Sequence, residues 1–341
     1  MSISTQELAK TVAELTAPGK GILAADESDG TIAKRFKGVN VASTEEARCD
    51  YRELLFSTPG LGDFISGVIL FEETLKQKSA AGVPLPELLK AQGIVPGIKV
   101  DKGTVPLPNF PGETVTQGLD GLAQRLGEYK QLGARFAKWR AVIHIGAGFP
   151  TPQAIAANAH ALACYAAICQ EQELVPIVEP EVLMDGDHTL ATSARVTEAV
   201  LHAVFHALHL QRVALEYMIL KPNMVEPGRA CAETATPQEV AQATLVCLRR
   251  TVPAAVPGIN FLSGGQSEAT ATANLHALNA AVGKQPWVLS FSYGRALQAS
   301  VLRAWRGDAA NKSIAQQALY KRARLNSAAM QGKYTAAMES E

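Results

Sequence analysis

Lys99, Lys138 and Lys221 each alternate with apolar neighbours inside short strand-like runs, GIKVD, AKWRAV and MILKP, where an unpaired ammonium is expensive to bury. An amine crowded by other cations and partly desolvated is biased toward the neutral form that attacks carbonyls. Lys221, in LKPN, is the nucleophile this predicts. An imine on a lysine needs a carboxylic acid to protonate the departing hydroxyl of the carbinolamine, and Glu179 or Glu181, in VEPE, can supply it. Their i, i+2 spacing places both on one face of a strand. Two carboxylates that close make one of them harder to ionise, as an acid working near neutral pH requires. Asp26, in AADES, is available as a base. Ser263, Gly264 and Gly265 can turn backbone N–H groups toward a phosphate, and Arg295 can clamp it.

Residues so far apart in the chain need a scaffold that gathers them. Eight apolar segments, GILAADES, DFISGVILF, VPGIKVD, FAKWRAVIHI, LVPIVEPE, YMILKP, GINFLSG and WVLSFSYG, read as mostly buried parallel strands, and most are followed by helical spacing. They predict the α/β class: a single-domain (β/α)8 TIM barrel over residues 1–341. The stretches PQAIAANAHALACYAAICQEQE and PQEVAQATLVCLRRTVP begin at Thr-Pro, a helix-entry signal. Extra N-terminal and C-terminal helices are expected over MSISTQELAKTVAELTAPGK, ALQASVLRAWRG and KSIAQQALYKRARLNSAAMQ, before a short tail, about 332–341, expected to be mobile. Parallel barrels build their sites at the C-terminal ends of the strands. Polar residues collect there: Asp26, Glu27 and Ser28 end the first strand, Lys99 and Asp101 the third, Glu179 and Glu181 the fifth and Lys221 the sixth. Ser263, Gly264 and Gly265 end the seventh, Ser292, Gly294 and Arg295 the eighth, and Lys138, Trp139 and Arg140 interrupt the fourth. Any one of these could be a solvated charge at a strand end, but together they describe a site.

Hydrophobic residues make up 47% of the chain and charged residues 19%, a composition that can bury a large core. Lys plus Arg and Asp plus Glu both total 32, so no global field favours nucleic acid or an anionic membrane, and any anion binding must be local. The N-terminal stretch lacks the continuous apolar core of a signal peptide. No apolar run approaches the roughly 20 residues needed to cross a bilayer, so a soluble, cytoplasmic protein is expected. The five cysteines, Cys49, Cys164, Cys169, Cys231 and Cys247, are scattered without a C-x-x-C pair and are expected to be reduced and mostly buried.

The motifs GKGILAADES, GIKVDKG, AKWR, VEPE, LKPNMV, FLSGGQSE, FSYGRALQAS and GKYTAA, in this order and over nearly the whole chain, resemble those of the class I fructose-1,6-bisphosphate aldolases of the animal and plant type. The resemblance implies a barrel, usually a homotetramer, that reversibly cleaves fructose 1,6-bisphosphate to dihydroxyacetone phosphate and glyceraldehyde 3-phosphate in glycolysis and gluconeogenesis, with no metal and no cofactor. It implies Lys221 as the Schiff-base lysine, Glu179 as the acid/base carboxylate, Asp26 as the residue assisting C3–C4 cleavage, and Lys138 as support for carbinolamine chemistry. It further implies Ser263, Gly264 and Arg295 as contacts for the ketose-end phosphate, with Gly265, Ser292 and Gly294 among the substrate contacts. Ser28, Lys99 and Arg140 would serve the other end, and Glu181, Trp139 and Asp101 would support the site. Many members of the family end in a longer tail whose terminal tyrosine folds over the site. This sequence ends in AAMESE, so that role is not carried over to Tyr334 in GKY.

Competing readings are weaker. His202, His206 and His209, in LHAVFHALHL, could share a helical face and hold a metal, but they fall between the fifth and sixth strands, on the outer ring. IHIGAGFPTP resembles a strand followed by Gly-x-Gly, yet Thr151 occupies the third glycine position of a dinucleotide fingerprint and no acidic residue ends a strand about 20 residues later. A non-catalytic scaffold on the same fold would be expected to have lost at least one of Lys221, Glu179, Asp26 and Arg295, and all are present. An aldolase of the same mechanism that prefers another ketose phosphate remains an open alternative.

Overall fold

The computed structural model describes residues 5–340. Eight strands, β1 (Gly21–Ala25), β2 (Ile65–Leu70), β3 (Val95–Lys99), β4 (Phe136–Ile143), β5 (Val175–Val182), β6 (Ile219–Leu220), β7 (Gly258–Phe261) and β8 (Val288–Tyr293), each pair in parallel with the next, and β8 returns to β1 through Ile22 opposite Ser292. The barrel is closed, and each strand falls in one of the eight apolar segments, β5 running one residue past the end of its own.

Alternate residues of a strand share a face, so each inward row changes character along its length. Ile22 and Ala24 lead to Asp26, Phe136 to Lys138 and Arg140, Val175 and Ile177 to Glu179 and Glu181, and Ile219 to Lys221. The apolar members of these rows pack with Ile69 and Val95 at the N-terminal end of the barrel, and the helix Thr5–Leu15 plugs that end with Leu8, Val12 and Leu15. The charged members therefore meet at the opposite, open end. The outward rows, including Ala137, Trp139 and Ala141 on β4 and Val178 and Val182 on β5, enter the larger core between barrel and helices.

The helical ring begins where Thr-Pro predicts it. Thr151 and Thr236 cap the helices Pro152–Glu171 and Pro237–Thr251, and Glu239 completes a capping box with Thr236. A cap of this kind contributes about 1 kcal/mol. An antiparallel hairpin, Thr104–Pro106 with Thr114–Thr116, follows β3 and was not foreseen, because three-residue strands carry too few positions to show alternation. It braces the site: Thr116 Oγ1 donates to the Arg140 carbonyl at 2.7 Å.

The helices Arg295–Trp305 and Lys312–Met330 follow the barrel. In the tail expected from its polarity to be mobile, a helical turn at Ala336–Ser340 is held by an ion pair of Glu339 with Arg322, by Tyr334 Oη donating to Glu339 at 3.0 Å, and by Lys321 Nζ donating to the Glu339 carbonyl at 2.6 Å. The start of the expected N-terminal helix, residues 1–4, and the last residue, 341, lie outside the described residues. No helix among the described residues is long and apolar enough to cross a membrane.

Candidate active site

The C-terminal ends of the strands enclose a mouth of about 550 Å3, lined by Asp26, Ser28, Lys99, Asp101, Lys138, Arg140, Glu179, Glu181, Lys221, Ser263, Gly264, Ser292, Gly294 and Arg295. At its floor Lys221 Nζ lies 3.2 Å from Glu179 Oε1, Lys138 Nζ lies 3.2 Å from Glu179 Oε2, and the same Nζ lies 2.7 Å from Asp26 Oδ2. Two lysine amines and two carboxyl groups thus alternate in one largely buried chain. Alternation is what makes the burial tolerable, since each charge has an opposite neighbour. Beside it Lys99 Nζ is 3.4 Å from Asp101, whose carboxylate also accepts from the backbone N–H groups of Arg140 and Gly103.

The charge states follow from this packing. Burial opposes ionisation of Asp26, but Lys138, Lys221 and Lys99 outweigh it and hold the carboxyl well below the usual range. Burial likewise opposes charge on Lys138, and Asp26, Glu179 and Asp101 overcome it, so this ammonium is held more firmly than usual. For Glu179 the sequence-based expectation is corrected. Burial alone would raise its pKa, yet Lys138, Lys221 and Arg140 bring it below the usual value. Glu181 pairs its carboxylate with Arg140 Nε, and that same arginine helps to lower the pKa of Glu179. Spacing along β5 counted the carboxylates and could not count the cations that β4 and β6 bring beside them.

At the other side of the mouth, Gly264 adopts φ +57°, in the left-handed region that lets the turn after β7 close. Gly294 caps the helix Arg295–Trp305, whose N-terminus stands at the mouth and favours an anion there. The Ser292 hydroxyl is buried without a hydrogen-bond partner among the described residues. Burial first, then the neighbouring cations Arg35, Arg229 and Arg140, lower the pKa of Arg295 against the charge of Glu181, so cations outnumber carboxylates around it.

Two expected residues stand elsewhere. Trp139 faces away from the mouth, one residue out of phase with Lys138 and Arg140, and stacks on Tyr165 with ring centroids 5.5 Å apart. Gly265 does not line the mouth. The Arg229 guanidinium fills the place where a side chain at Gly265 would stand, so this glycine makes room for an arginine. The sequence reading passed over Thr31, Lys34 and Arg35, which also line the mouth from the helix Asp29–Lys37. Arg35 pairs with Glu27, which Arg52 also holds at 2.7 Å. The signal was present: i, i+3 and i+4 spacing puts all three on one helical face directly after a strand end. No group of three or more His, Cys, Asp or Glu among the described residues could hold a metal ion, and His202, His206 and His209 lie exposed on the outer helix Leu190–Leu210.

Comparison with known proteins places the chain in a family. The family model for class-I fructose-bisphosphate aldolase matches residues 7–341. A probable fructose-bisphosphate aldolase class 1 from Xanthomonas campestris pv. campestris is 56% identical, covering 97% of this chain and 99% of its own length. The cytosolic fructose-bisphosphate aldolase 4 of Arabidopsis thaliana is 55% identical over 97% of this chain and 84% of its own. Among solved structures, the fructose-bisphosphate aldolase of Plasmodium falciparum, in complex with TRAP and a small-molecule inhibitor, superposes with a TM-score of 0.96 at 55% identity, covering 97% of this chain and 96% of the other. The chain belongs to the class-I fructose-bisphosphate aldolase family.

Proposed function

We propose that Lys221 carries the Schiff base through which this chain reversibly cleaves fructose 1,6-bisphosphate to dihydroxyacetone phosphate and glyceraldehyde 3-phosphate. The observation that carries the assignment is the buried contact chain Lys221, Glu179, Lys138, Asp26. Transfer of one proton across the 3.2 Å from Lys221 to Glu179 creates the neutral amine and the carboxylic acid in a single step. The amine attacks C2 of the ketose, and the carbinolamine forms beside the Lys138 ammonium, which stabilises the developing oxyanion. Glu179 returns its proton to the departing hydroxyl, which leaves as water. The resulting protonated imine is an electron sink. Asp26, ionised in its setting of lysines, takes the proton of the C4 hydroxyl, the C3–C4 bond breaks into the imine, and the aldehyde departs. Protonation of the enamine at C3 and hydrolysis free the second product and Lys221.

The two phosphates set the reach. Ser263, Gly264, Ser292, Gly294 and Arg295 hold the ketose-end phosphate, supported by the helix N-terminus and the cation surplus at Arg295. Ser28, Lys99 and Arg140 hold the other end, with Glu181 and Asp101 orienting Arg140 and Lys99. No cofactor or metal takes part. We place the protein in the cytosol, in sugar phosphate metabolism, as a homotetramer like others of the family. Borohydride trapping with dihydroxyacetone phosphate in excess chelator, followed by peptide mass mapping, tests the mechanism. A stable adduct on Lys221 is expected. Absence of an adduct, an adduct on another lysine, or turnover lost to chelator would defeat it.

A further inference from the structure

Glu226 lies behind the turn assigned to the ketose-end phosphate. With Met184, Asn223, Leu262 and Gln266 it lines a space of about 10 Å3, room for one water at most. Gly264 and Leu262 line both this space and the mouth, so the start of the turn assigned to the phosphate is shared between the cavity of Glu226 and the site. The carboxyl accepts from Asn274 Nδ2 at 3.1 Å, and the same nitrogen reaches Gln266 Oε1 at 3.2 Å, which ties Glu226 to the end of the turn. No ion pair holds it among the described residues. The charged and titratable groups that act on it or feel it are Arg229 on its own loop, which lies 3.8 Å from Asp185 on the loop after β5, and Tyr293 on β8. Burial pushes the carboxyl up to about 7, against the hydrogen bonds from Gln266 and Asn274 and the charge of Arg229.

We propose that Glu226 is a positioning residue for the ketose-end phosphate: as the neutral acid it shapes the turn that receives the phosphate, and as the carboxylate it repels the phosphate across that turn. The inference rests on the assignment of that turn to a phosphate. Like charges on the two sides of a poorly solvated turn repel more strongly than they would in water. The sign follows from the raised pKa: the proton is bound below about pH 7 and lost above it, so substrate binding weakens as pH rises through that value.

The test compares the full chain with Glu226→Gln and Glu226→Ser, measuring KM and kcat for fructose 1,6-bisphosphate and binding of inorganic phosphate by calorimetry from about pH 6 to about pH 8.5. Titration of the phosphate itself is common to all three proteins and cancels in the ratio. Relative to the Gln variant, the KM and phosphate Kd of the unaltered chain should rise at least about threefold across the range, and up to about thirtyfold if only the protonated form binds. The change should fall in KM and not in kcat. Parallel KM and Kd profiles, or a difference carried by kcat, would overturn the proposal, and the Ser variant decides it should the Gln variant fail to fold. A chain that traps no imine would sink the catalytic assignment instead, while the phosphate Kd profiles would still decide the role of Glu226.

Discussion

Lys138 stands between the two carboxylates of the proposed chemistry, 2.7 Å from Asp26 and 3.2 Å from Glu179, and its charge is a main reason that Asp26 stays ionised despite burial. Lys138→Met should lower kcat by about 10²- to 10⁴-fold. It should also move the acid limb of the pH profile. With Lys138 present, the base is lost only as pH falls through a value well below the usual one. With Lys138 removed, burial prevails, the pKa of Asp26 climbs, and kcat/KM declines at higher pH. A kcat/KM profile whose acid limb does not move would disprove this coupling. At this scale the sequence was readable wherever a charge sat in an apolar run, as at Lys138 and Lys221. It misled at Trp139, which adjoins Lys138 in sequence but faces the other way, and at Gly265, where the guanidinium that needs the space comes from a different loop.

At the scale of elements, the inward rows explain why charge gathers at one end. Each starts on apolar residues sealed beneath the helix Thr5–Leu15 and ends on Asp26, Lys99, Lys138, Arg140, Glu179, Glu181 or Lys221. The floor under those charges must be tightly packed. Gly97, between Val95 and Lys99 on the inward row of β3, has the Phe136 ring where its side chain would be. Gly97→Ala should therefore cost about 1–3 kcal/mol of stability by overpacking, read as a lower thermal unfolding midpoint, and Phe136→Leu in the same chain should restore part of it. Equal midpoints for Gly97→Ala and the unaltered chain would show that the floor can yield. Strands and long helices were legible here because alternation and Thr-Pro caps are local signals. The Thr104–Pro106 hairpin was not, being held in place by contacts such as Thr116 with Arg140.

For the whole molecule, 32 basic residues balance 32 acidic ones, yet Arg35, Arg140 and Arg295 line one mouth, and Arg35, Arg140 and Arg229 are close enough to act on Arg295. Attraction of a bisphosphate is therefore local, and kcat/KM should fall several-fold between about 0.05 M and about 0.5 M salt as screening shortens. A salt-independent kcat/KM would contradict a cationic mouth. The proposed homotetramer predicts a light-scattering mass four times the 36.2 kDa of the chain, and a mass of one or two chains would refute it. The sequence alone determined the barrel, the strand ends and the candidacy of Lys221, Asp26 and the pair Glu179 and Glu181, because strand periodicity and the expense of burying charge are properties of short segments; the choice of Glu179 within the pair came from the family resemblance. Only the tertiary structure decided the charge on Glu179, the partner of Glu181, the arginine against Gly265 and the place of Glu226 behind the turn after β7. Each of these depends on side chains from different strands and loops meeting within a few ångströms, and separation along the chain does not encode that distance.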